Sequence, residues 1–447
     1  MFQPSVLTTV LSLGAFAATL SAADLCGSVV DEKSGQPLAA RVYILGQDGA
    51  WHFVRSAAPG GSAVRYEKRN GINRNAVEMH TTVSNQPFAA DLPPGRYVVT
   101  VERGKEYFAV TREVTVAAEP VELRIPLRRW IDMTERGWYS GETHIHRTPD
   151  ELRNVVLAED LNVAFPLSFW VTRAFTSPAA EVRGAADFPR DLMSVDATHV
   201  IWPRNTEYEI FTVGAKQHTL GAMFVLNHHE PLAAGVPPWG KVAHASLARE
   251  AMIDVDKLDW PFAMLLPQAA SPELYELANN HVWRTEFAFR TWNCPATPYL
   301  QPPYGGRGGG EREWVHYTLG MYYTLLNCGL AVVPTAGTAN GVHPVPAGFS
   351  RVYVHLPGGF TYEKWVAGLK AGRSFVTTGP MLFATVNGQD PGETFRADCG
   401  PVRLRIAGTV RSEQPLAFIE VIRDGRPALT FMPPQPADHR RSIRDRL

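Results

Sequence analysis

Apolar and polar positions alternate strictly near the end of the first quarter of the chain. Val121, Leu123, Ile125 and Leu127 are set against Glu122, Arg124, Pro126 and Arg128. A period of two predicts a half-buried strand. Further strands are predicted at 26–30, 41–45 and 96–102, the last launched by the turn Pro93-Pro94-Gly95. Closely spaced strands with Gly/Pro turns predict a β-sandwich over 24–129, with His52 and His80 at its surface or in loops. After a linker the pattern changes. Strand-like runs at 139–146, 162–169, 199–210, 219–226, 273–278, 330–335 and 351–355 alternate with helix-like ones, as α/β architecture requires. In the helical stretch 311–327, Val315, Leu319, Tyr322 and Leu326 share one face, and Gly329 stands at the C-cap position. In 361–371, Thr361 is the N-cap, and Tyr362, Trp365, Val366 and Leu369 form the inward stripe. Runs at 382–386, 402–406 and 417–422 predict a small β-rich domain over 381–447. The fold class expected is multidomain α/β plus β, with a closed or nearly closed barrel over 135–380. Functional residues of such barrels sit at C-terminal strand ends.

One such end carries Gly141-Glu142-Thr143-His144-Ile145-His146-Arg147. On a strand, His144 and His146 point to the same face, with Cα atoms roughly 6.5–7 Å apart, so both imidazoles reach one cation. Asp150 and Glu151 follow on a helix and offer a hard oxygen ligand. A mixed N/O set suits Zn²⁺, Mn²⁺ or Fe. Other strand ends supply further candidates. These are Glu207, His218 before an apolar strand, one of His228 and His229, His281 in Asn279-Asn280-His281, and more weakly His343. Trp170, Trp202 and Trp283 lie near the same ends and are placed either as a wall of the site or in the core.

Composition narrows the partners. A net charge of −1 over 447 residues gives no electrostatic case for nucleic acid or an anionic membrane. A small-molecule or carbohydrate-like substrate is expected, the carbohydrate from the sugar-stacking wall that the three tryptophans could form. Residues 1–23 hold an apolar run ending in Ser21-Ala22-Ala23, which reads as a secretory signal peptide. The run is too short for a span, which needs roughly 20 residues, so export to the periplasm or the medium without stable membrane insertion is expected. Four scattered cysteines show no CxxC, and their pairing is left open. Gly-x-Ser-x-Gly is absent, which disfavours a serine hydrolase.

The quoted motifs resemble two known families. The segments GSVVDEKSGQPLAARVYI and LPPGRYVVTVERG are similar to the carboxypeptidase regulatory-like β-sandwich. Within 135–381, the segments SGETHIHR, LAEDLNV, ELANNHVW, LLNCGLAVVPTAGTANGV and GFSRVYVHLPGGFTYEKWVAGLKAGRSFVTTGP resemble PHP-type (polymerase and histidinol phosphatase) metallohydrolases of the CehA/McbA branch. That resemblance implies a distorted (β/α)7 barrel with a metal cluster, and hydrolysis of an ester, phosphoester, amide or carbamate bond by a metal-activated water. It implies His144, His146, Glu151 (or Asp150), Glu207, His218 and His281 as metal ligands. Glu207 would also orient or deprotonate the water, and Arg351, with Arg147, would hold developing negative charge. Where the family has Thr-Asp-His this chain has Ser168-Phe169-Trp170, and Ala339-Asn340-Gly341 replaces a late Asp-x-His. The set then supports one or two ions. A catalytically silent secreted binding protein, with at most a structural ion, is the competing expectation.

Overall fold

The computed structural model describes residues 23–71, 74–178, 188–213, 215–217, 221–247, 250–258, 263–282, 311–396 and 399–433. The chain is mixed α/β, with many strands in several sheets and few helices. Among the described residues no helix is long and apolar enough to cross a membrane.

Two sheets make up the N-terminal part. Strand Val121–Leu127 pairs in parallel with Ala23–Asp31, setting Leu25 opposite Val121 and Val29 opposite Ile125. The apolar half of the alternation therefore enters one core with Val42, Ile44, Phe88 and Val99 from the other strands. His80 departs from its expected surface place. It lies on Val77–Val83, 2% exposed, with Nδ1 2.8 Å from the Glu78 carboxylate, which also accepts from Tyr43. Its imidazole is accommodated because that carboxylate and the Tyr43 and Tyr66 rings surround it.

The central region has two mixed sheets. One runs in the order Met193–Ser194, Val200–Ile201, Val163–Pro166, Trp138–Ile145, Arg351–His355, Ser374–Thr377. The other runs Phe169–Arg173, Thr206–Val213, Ala222–Leu226, Met252–Asp256, Leu274–Ala278, Val333–Ala336, with Lys216–Gln217 paired to Thr206–Val213. Several neighbours are antiparallel, including Trp138–Ile145 with Arg351–His355 and both partners of Ala222–Leu226. Both edges of the second sheet lead back to one strand end. Leu167 N–H donates to the Ile145 carbonyl at 2.7 Å, and His146 N–H donates to the Asn340 carbonyl at 2.6 Å.

Local chemistry sets the helices around that strand. Helix Pro149–Glu159 starts with Pro at its first position and Thr148 as N-cap, accepting from Glu151 N–H, and closes on left-handed Asp160. It buries Leu152, Val155 and Val156 against Ile145 and Ala164. Helix Tyr362–Lys370 follows the expected N-cap and stripe, and Trp365 packs so close to Gly141 that a Cβ there would sit 2.3 Å from the indole. Helix Glu311–Asn327 has the expected span, but it buries Tyr317, Met321 and Leu325, and Leu326 is exposed. Both stripes have helical spacing. Tyr322 of the expected one still packs on Tyr275 with ring centroids 5.4 Å apart, so the buried face is rotated from the expected one and not opposite to it.

After Pro380 two hairpins form, Met381–Val386 with Ile406–Arg411 and Ile419–Arg423 with Arg426–Phe431. The strand expected at 402–406 is displaced to Ile406–Arg411, because pairing sets Ile406 opposite Val386. Cys26, Cys328 and Cys399 are free thiols, and Cys294 lies outside the described residues.

Candidate metal centre

The inner face of the second sheet changes character along its strands. Alternation on Thr206–Val213 sends Tyr208 and Ile210 to the outer core and Glu207 and Glu209 inward. On Met252–Asp256, Ile253 and Val255 likewise face out, and Asp254 and Asp256 face in, while Leu274–Ala278 contributes Glu276. Register sets Glu207 opposite Phe224, and Phe224 opposite Asp254. Leu226, Met252 and Leu274 close one end of this face as apolar core, so the carboxylates collect at the other.

There they meet the histidines of the first sheet. His144 Nε2 and His146 Nε2 are 3.1 Å apart, and His146 Nε2 is 3.1 Å from Glu207 Oε2. All three side chains are at most 2% exposed. Donor atoms of His144, His146 and Glu207 lie within 4.8 Å of one another, as do those of His144, Asp256 and Glu276. Neighbouring ligands around a tetrahedral ion are roughly 3.3 Å apart, given Zn–N and Zn–O lengths of about 2.0–2.1 Å. The buried His, Glu and Asp groups fit a metal ion. The fit is also electrostatic. Burial, with the charges of Asp256 and Asp254 beside it, raises the Glu276 carboxyl well above the ordinary range, and burial does the same to Asp254. Crowded carboxylates that cannot all ionise unaided are the condition a bound cation relieves.

The supporting contacts are specific. Glu276 Oε2 lies 2.9 Å from His144 Nδ1; once ionised it holds the proton on Nδ1 and leaves the Nε2 lone pair for a metal. Gly337 makes this approach feasible, since a Cβ there would sit 2.1 Å from His144 Cβ and 2.5 Å from Glu276 Oε1. Asp256 accepts from Asn279 at 2.9 Å, and Asp254 from Thr335 at 2.6 Å. A cavity of about 10 Å³, room for one water, lies behind Asp256 and Glu276 against Tyr317 and Met321. Phe224 and Trp170 flank the imidazoles, with ring centroids 4.6 Å from His144 and 5.3 Å from His146.

The expected residues divide. His144, His146 and Glu207 come together. His218 and Trp283 lie outside the described residues, as does the imidazole of His281, whose backbone sits in the turn Asn280–Val282. Glu151 is elsewhere: its side chain is 43% exposed and lies 3.6 Å from Arg147, because its helix carries it away from the strand end. Arg147 donates to Asn340 Oδ1 at 2.9 Å and lies over the Tyr66 ring, so its guanidinium is engaged beside the centre. Arg351 is not in the role expected of it. Its guanidinium, fully buried, donates to the carbonyls of Gly348, Asp160 and Glu159 at 2.8, 3.2 and 3.0 Å. Trp202 is core, stacked on Tyr362, and His228 bonds Thr206 at 2.8 Å, whereas His229 is exposed. Sequence reasoning missed Asp254, Asp256, Lys257 and Glu276. The alternation Ile253/Val255 against Asp254/Asp256 was the available signal, and it reads equally well as a solvated strand.

No family model matches the sequence, and no curated protein matches it. Among solved structures, phospholipase PlaB from Legionella pneumophila in complex with thio-NAD aligns with 25% of this chain and 27% of its own length. The identity is 17% and the TM-score 0.15, a likeness too slight to carry an argument.

Proposed function

We propose that this is an exported metal-dependent hydrolase acting on an ester, phosphoester, amide or carbamate bond of a small-molecule or carbohydrate-like substrate. One observation carries the reading: three buried donor side chains from two sheets, His144, His146 and Glu207, converge within 4.8 Å. Zn, Mn or Fe suits that donor set. An ion held there supplies the Lewis acidity that makes water a nucleophile near neutral pH. The chain's own residues do the rest. Glu276 fixes the His144 tautomer, Phe224 and Trp170 exclude bulk water, and Glu207 turns one oxygen towards His146 Nε2, where both would meet the ion, and holds Lys257 with the other. The two central sheets then represent the halves of a distorted (β/α)7 PHP-like barrel, with both edges of one drawn to the histidine strand of the other. The apolar run ending in Ser21-Ala22-Ala23 supports export.

A silent binding protein is the second reading, favoured by Trp170, Ala339 and Gly341 standing where the resembling family has ligands and by Arg351 being engaged with backbone. Metal content per chain, with turnover of chromogenic esters and phosphoesters, separates the two. The hydrolase reading expects bound metal and turnover in the wild type and loss of both in His144→Ala/His146→Ala. A wild type that binds no metal rules it out, and bound metal without turnover favours the silent protein.

A further inference from the structure

We propose that the Lys257 ammonium is a built-in second cation, which fills the half of the acidic mouth that a second divalent ion would take and holds the centre to one ion. This rests on the metal reading of His144, His146 and Glu207. Lys257 follows directly on the strand Met252–Asp256, and its side chain is 8% exposed. Its Nζ is 2.8 Å from Glu209 Oε1, 3.2 Å from Glu207 Oε1 and 3.3 Å from Asp256 Oδ2. Three carboxylates from two strands thus share one ammonium. Backbone placement is equally deliberate: Lys257 has φ +56°, a left-handed conformation that a side-chain-bearing residue keeps only where its surroundings impose it.

The other oxygens are engaged too. Glu209 Oε2 accepts from the Trp170 indole at 3.0 Å, Asp256 Oδ1 from Asn279 at 2.9 Å, and Glu207 Oε2 faces His146 at 3.1 Å. Glu207 is therefore the carboxylate shared between the imidazole side, where an ion fits, and the ammonium side. A second divalent ion bound by Glu207, Glu209 and Asp256 would need the volume of Nζ and would meet its charge at contact distance. Trp170 closes the same side with an indole, whose N–H donates and which offers no lone pair to a metal. The result is a one-ion centre with a fixed, non-exchangeable positive charge beside it.

The test is metal stoichiometry. Wild type, Lys257→Ala, Lys257→Gln and Lys257→Arg are stripped with chelator, reloaded with excess Mn²⁺, desalted, and read by elemental analysis and electron paramagnetic resonance. Wild type and Lys257→Arg are expected to hold one ion per chain with an uncoupled Mn²⁺ spectrum. The neutral variants are expected to take up a second ion and to show exchange coupling between the two. Wild type with two ions overturns the proposal, as does a folded neutral variant with one ion or none. Failure of both neutral variants to fold at any Mn²⁺ concentration also overturns it, since Lys257 would then be a fold element. A wild type that binds no ion refutes the metal reading itself, whereas one ion in wild type and in both neutral variants refutes the role of Lys257 alone.

Discussion

Removing Glu276 tests the centre without touching His144, His146 or Glu207. The carboxylate is fully buried, and its two oxygens lie 2.9 and 3.1 Å from His144 Nδ1. Glu276→Ala leaves the His144 proton free to sit on either nitrogen and the ring free to rotate. Loss of such an orienting carboxylate costs about 10–100-fold in metal affinity, which is about 1.4–2.8 kcal/mol. Glu276→Gln keeps an oxygen acceptor for Nδ1–H and loses the charge, so its loss is expected at the lower end. Zinc competition against a chromophoric chelator measures both variants, with the melting temperature of the metal-free proteins as control. Folding is expected to survive, because the removed group is one of several crowded carboxylates whose ionisation burial already opposes. Unchanged zinc affinity in Glu276→Ala would refute the assigned role of Glu276, and a loss larger than that of His144→Ala would make Glu276 a ligand instead.

Three further outcomes follow from contacts outside the centre. Arg41→Met strands Glu159, which Arg41 meets at 2.9 Å between the sandwich and the central sheets, and should cost about 3–5 kcal/mol in urea unfolding. Arg351→Met removes three donors from buried carbonyls and should lower stability by about 2–4 kcal/mol, with zinc affinity changed less than about threefold. A selective loss of zinc binding would return Arg351 to the centre. Burial pushes the His199 imidazole down, but hydrogen bonds and charge from Asp160 and Asp196 win and raise it above 6.5. Its stabilisation is therefore complete below the unfolded value of 6.5 and fades as pH rises through the higher folded one. Relative to His199→Gln, the wild type should gain about 1–3 kcal/mol at pH 5 and lose that gain in alkali, read from melting curves across pH.

What could be read in advance depended on whether a residue's role is local. Strand Val121–Leu127 was legible because its alternation is itself the burial pattern, and Thr361 because an N-cap acts within one turn. The His-x-His pair was legible for the same reason, since period two alone brings two imidazoles to one face. Glu276 was not. It stands in an apolar run, and only the register of its strand and Gly337 bring it against His144. Asp254 and Asp256 alternate with apolar neighbours just as solvated residues do, and their burial comes from the opposing sheet. Arg351 took its expected role from the resemblance alone, and two of the three carbonyls that receive its donors, Glu159 and Asp160, come from the end of a helix far away in the chain. His80 was misplaced, since its partner Glu78 lies beside it but the walls that bury both come from other strands.

The central claim is that His144, His146 and Glu207 hold one ion. Anomalous diffraction at the zinc edge from zinc-soaked crystals tests it most directly. One strong peak is expected about 2.0–2.2 Å from His144 Nε2, His146 Nε2 and a Glu207 oxygen. A peak elsewhere on the chain, or none between the two imidazoles, would contradict it.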